Sequence, residues 1–69
     1  MVEVFSTNVE VSAQGDVLVQ ELLAQFPESK INFDLEDCDK ILRVEGEPVW
    51  PEKIIAVLEG NGYRCNMLV

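Results

Sequence analysis

At 69 residues and a formal charge of −8, this chain is long enough for one small domain, 1–69, and too short for two. Its excess of 13 acidic over 5 basic residues repels phosphate backbones and anionic membranes, so neither nucleic acid nor a membrane is an expected partner. With no histidine and only two cysteines, it lacks the side chain best suited to proton transfer near neutral pH and has too few thiols for a disulfide framework.

Val2 to Thr7, rich in valine, phenylalanine and threonine, predicts a first strand. Asn8 to Gly15 breaks that pattern, and from about Ala13 to Phe26 the residues Leu18, Val19, Leu22, Leu23 and Phe26 form the apolar stripe of a helix. Pro27 stops this helix, because it has no N–H to donate. Ile31, Phe33 and Leu35 alternate with Asn32, Asp34 and Glu36, the period of a strand with one wet face. Glu36-Asp37-Cys38-Asp39 predicts a turn, and Lys40 to Glu45 resumes the alternation with Leu42 and Val44 inward. Pro51 suits the first turn of a second helix carrying Ile54, Ile55, Val57 and Leu58, and Gly60-Asn61-Gly62 ends it. Tyr63 to Val69 predicts a fourth strand with Tyr63, Cys65 and Met67 on one face.

This order of elements predicts an α+β fold of the ferredoxin-like βαββαβ kind. Four antiparallel strands lie in the order 4-1-3-2 with both helices on one face. No apolar run nears the roughly 18 residues that span a membrane, and Met1-Val2-Glu3-Val4 does not open like a signal peptide. A cytoplasmic protein is expected.

The pattern resembles the heavy-metal-associated domain of copper chaperones and of the N-terminal arms of metal-pumping ATPases. The likeness is carried by Phe33-Asp34-Leu35-Glu36, by Leu42-Arg43-Val44-Glu45-Gly46, and by Pro51-Glu52-Lys53-Ile54-Ile55 leading to Gly62-Tyr63. Val19, Leu22, Leu23 and Phe26-Pro27 fit that family's first helix. The resemblance implies a Met-x-Cys-x-x-Cys metal loop, but aligned without a gap the methionine falls on Glu10 and the two thiolate positions on Ser12 and Gly15. A hydroxyl and a bare glycine do not replace two soft thiolates, so no metal ligand and no cofactor is expected there. The hairpin after Glu36 is also about two residues longer than the family's.

Cys38 is the remaining candidate ligand, placed at the same end of the sheet as the emptied loop but flanked by Asp37 and Asp39, whose charges disfavour a thiolate. Cys65 is expected to be a buried apolar residue that does not bridge to Cys38. Trp50 is expected to pack over the end of the core. No nucleophile, base and orienting group stand in a triad spacing, and no enzyme is expected. The function that follows is a non-catalytic interaction or accessory module, monomer or weak dimer, presenting Glu36, Asp37 and Asp39 to a protein partner. The alternatives are an unconventional metal handler built on Cys38 and a dimeric small-molecule sensor.

Overall fold

The computed structural model describes residues 1–68. Its elements run β1 (Val2–Thr7), α1 (Ser12–Gln25), β2 (Lys30–Asp34), β3 (Ile41–Glu45), α2 (Pro51–Gly60) and β4 (Cys65–Met67). The strands form one antiparallel sheet in the order β2-β3-β1-β4, the expected ferredoxin-like arrangement. Both helices cover the same face, α1 over β2 and α2 over β4, and they pack against each other.

Registry places the apolar residues as their alternation requires. Phe5 lies opposite Leu42 on one side and Met67 on the other, and Leu42 in turn opposes Phe33. Paired residues share a face, so Phe5, Leu42 and Phe33 stack under the helices with Val44, Ile31 and Cys65, while Met67 at the edge stays exposed. The buried core consists of Phe5, Val9, Leu18, Leu22, Leu42, Val44, Ile54, Leu58 and Cys65, with Ile31, Phe33 and Leu35 half-buried against it. Val9 belongs to this core although the sequence pattern around it reads only as a loop. The loop folds inward because the Val9 N–H donates to Thr7 Oγ1 at 3.2 Å, which turns the chain back over the sheet.

Three expectations need correction. The first helix begins at Ser12, so Ser12 and Gly15 both lie in its opening turns and not in the preceding loop. The Gln14 and Gly15 N–H groups both donate to the Val11 carbonyl and start the helix without a side-chain cap. The fourth strand is shorter than Tyr63 to Val69. Gly62, at φ +88°, and Tyr63 close α2 by donating to the Glu59 and Leu58 carbonyls, a Schellman ending that delays strand pairing until Cys65. Val69 lies outside the described residues.

Trp50 does not pack over the core; it stands 46% exposed. Its backbone is extended just before α2, and in an extended segment neighbours point opposite ways, so Val49 takes the inward position. The Lys53 ammonium lies 5.6 Å from the indole centroid and holds the ring on the surface.

Candidate functional site

The end of the sheet where β1 finishes gathers three loops: residues 8–11, the 35–40 hairpin and residues 61–64. Hydrogen bonds tie them together. The Thr7 N–H donates to the Asp39 carbonyl at 3.0 Å, and Thr7 Oγ1 donates to the Lys40 carbonyl at 2.6 Å. Across the other side, the Arg64 N–H donates to Asn8 Oδ1 at 2.7 Å. The hairpin has its own internal frame, with the Asp39 N–H on Asp37 Oδ1 at 2.8 Å and the Lys40 N–H on the Asp37 carbonyl at 3.0 Å. Lys40 closes the turn at φ +49°, a left-handed conformation that costs a side-chain-bearing residue roughly 1 kcal/mol. Its ammonium offsets this by donating to the Leu35 carbonyl at 3.0 Å.

Glu10, Glu36, Asp37, Cys38 and Asp39 are all exposed at this end. One Asp37 oxygen, the Cys38 sulfur and one Asp39 oxygen come within 4.8 Å of one another. All three side chains stand in water, and Asp37 already spends an oxygen on the turn. Among the described residues Cys38 and Cys65 are both free thiols, as the strand order requires. Cys65 is buried opposite Thr7, and burial, with Glu59 nearby, pushes its thiol up to about 12.

The two positions matched to the family's cysteines differ in kind. Ser12 is exposed at the start of α1, whereas Gly15 is buried against the ring of Phe33. A Cβ built on Gly15 would lie 3.2 Å from Phe33 Cδ2, so any side chain there makes the ring give by a few tenths of an ångström. The sequence reading missed this consequence, although a glycine inside an otherwise helical pattern was its signal. Gly15 makes room for the aromatic residue of the neighbouring strand.

The donor set sets an expectation for metal. The reduced protein should take up no stoichiometric copper(I) or zinc in competition with a chelator of moderate strength, since no two thiolates converge. Ser12→Cys with Gly15→Cys supplies the missing pair and should create uptake, more readily when Phe33→Leu relieves the crowding. One equivalent retained by the unmodified protein and lost in Cys38→Ser would overturn this and assign the hairpin instead.

No protein-family model matches the chain, and no curated protein or solved structure is significantly similar to it. Among the described residues no helix is long and apolar enough to cross a membrane.

Proposed function

We propose that this domain is a non-catalytic interaction module with a heavy-metal-associated-like fold, and that it meets a basic protein surface with the hairpin end of its sheet. The observation that supports this is the concentration of exposed carboxylates from Glu10, Glu36, Asp37 and Asp39 on loops held in shape by backbone hydrogen bonds. Charges fixed in position steer an oppositely charged partner without the ordering cost of a floppy loop. We place the domain in the cytoplasm as a monomer or weak dimer.

The test uses acetylated hexalysine amide titrated into isotope-labelled protein at low salt. Amide shifts should cluster at Glu36 to Lys40 and near Glu10. Neutralising the hairpin by Glu36→Gln, Asp37→Asn and Asp39→Asn should weaken binding by roughly fivefold or more. Removing as many charges from the helices by Glu21→Gln, Glu52→Gln and Glu59→Gln should have a much smaller effect. Equal losses in the two triple variants would mean that only net charge matters and would defeat the proposal.

A further inference from the structure

The outer side of β2 is an open sheet edge, and the hydrogen-bond pattern identifies its exposed backbone groups. The Gly46 N–H donates to the Met1 carbonyl at 2.9 Å, which makes Met1 and Gly46 a hydrogen-bonded pair in line with the β1–β3 register. Such pairs alternate along an antiparallel ladder, so Val44 and Leu42 point their backbone groups at β1 while Ile41, Arg43 and Glu45 point theirs at β2. Their partners Lys30, Asn32 and Asp34 face inward. Ile31 and Phe33 therefore turn their N–H and C=O groups outward, and β2 is last in the strand order. Next along the edge, the Leu35 carbonyl is already occupied by the Lys40 ammonium.

Beside this edge runs a groove of about 380 Å³ between β2 and α1. Its floor is apolar, formed by Val19, Ile31, Phe33 and Leu35, with the Phe33 ring seated against Gly15. Asp16 and Glu36 stand on its rim, both exposed. A row of outward backbone groups, an apolar trough for alternate side chains and a carboxylate rim are the features that take up an added strand. Sheet edges in natural domains are usually shortened, charged or covered, and the middle of this one is not.

We infer that the β2 edge and the α1 groove bind an extended peptide segment of a partner protein, with apolar residues at alternate positions and a basic residue beside Asp16 and Glu36. The peptide pairs with the Ile31 and Phe33 backbone and lays every second side chain against Phe33 and Val19. A second copy paired antiparallel about Asn32 would set Asp34 against Lys30 but Glu36 against Glu28, so it offers no basic residue to the Glu36 end of the rim, whereas a basic peptide does. This inference rests on the interaction-module proposal for the existence of a partner and shares Glu36 with it, but Asp16 and the Ile31 and Phe33 backbone belong to the groove alone, so the two can fail separately.

The probe is an acetylated, amidated peptide of alternating valine and threonine with a lysine at each end. Added to labelled protein, it should shift the Ile31 and Phe33 amides most and slow their hydrogen exchange. A version N-methylated at alternate backbone nitrogens should bind at least tenfold more weakly, as should one with glutamate in place of lysine. Asp16→Asn should weaken binding severalfold, and by more than Asp37→Asn with Asp39→Asn, whose carboxylates do not line the groove. Protection at Cys65 to Met67 or at the hairpin alone, or equal binding of the N-methylated peptide, would overturn the inference. So would sedimentation of the free protein as a dimer whose β2 amides are already protected. Loss of binding in the hairpin variant only would defeat the groove and leave the interaction-module proposal standing.

Discussion

Phe5→Ala is expected to remove about 3–5 kcal/mol of the domain's stability. Phe5 is fully buried at the centre of the sheet, opposite Leu42 and Met67 and beneath both helices. Truncating a buried phenylalanine costs about 3–5 kcal/mol in lost transfer energy and cavity formation. A domain of 69 residues has a total stability of only roughly 3–10 kcal/mol, so one such loss is from a third to all of it. Urea unfolding followed by far-ultraviolet circular dichroism measures the effect directly. Val2→Ala, at an exposed position on the same strand, should change the midpoint little and serves as the control. A Phe5→Ala protein within about 1 kcal/mol of the parent would contradict the placement of the core.

A second large effect is expected at high pH. The buried Cys65 thiol keeps its proton in the folded protein up to about 12, against an ordinary value of 9.0 once unfolded. Between those values the unfolded chain binds fewer protons than the folded one, so stability must fall as pH rises. Below about pH 9 the thiol is protonated in both states and contributes no slope. The expected loss is roughly 1 kcal/mol for each pH unit above that point, because ionising the thiol in place would put a charge among Leu58, Phe5 and their neighbours. Cys65→Ala removes the group at the cost of a small cavity and should flatten this part of the profile. Other groups titrate in the same range, so the measurement is the difference between the urea midpoints of parent and variant from pH 8 to 11. Parallel curves would show that Cys65 is not the source.

Much of the architecture was legible because the core residues of each element recur at one clear period, even though Val11, Val17 and Trp50 stay exposed. Ile31, Phe33 and Leu35 alternate so regularly that they fit only a one-faced strand, and Leu42 with Val44 completes the hairpin. Gly62 marks the end of α2 for a local reason, since only a residue free at positive φ closes a Schellman turn without strain. Trp50 and Val9 were not legible. Whether a residue next to a helix start or inside a loop turns inward depends on which way the chain enters, and no periodicity spans so short a segment. The expected hairpin end was gathered as foreseen, but its internal frame came from the Asp37 turn and the Thr7 hydrogen bonds, which join residues far apart in sequence.

By itself the sequence determined the order of the elements, the burial of their apolar faces and the absence of a Cys-x-x-Cys pair. Each of these depends on residue type and local spacing alone. The tertiary structure decided that Gly15 lies under Phe33, that Ile31 and Phe33 turn their backbone groups to an open edge, and that Asp16 and Glu36 share the rim of one groove. Those relations arise from the β2–β3 register and from where α1 settles on the sheet. Strand pairing and helix docking are contacts between distant segments, and a one-residue change of register would have turned the same side chains to the opposite face.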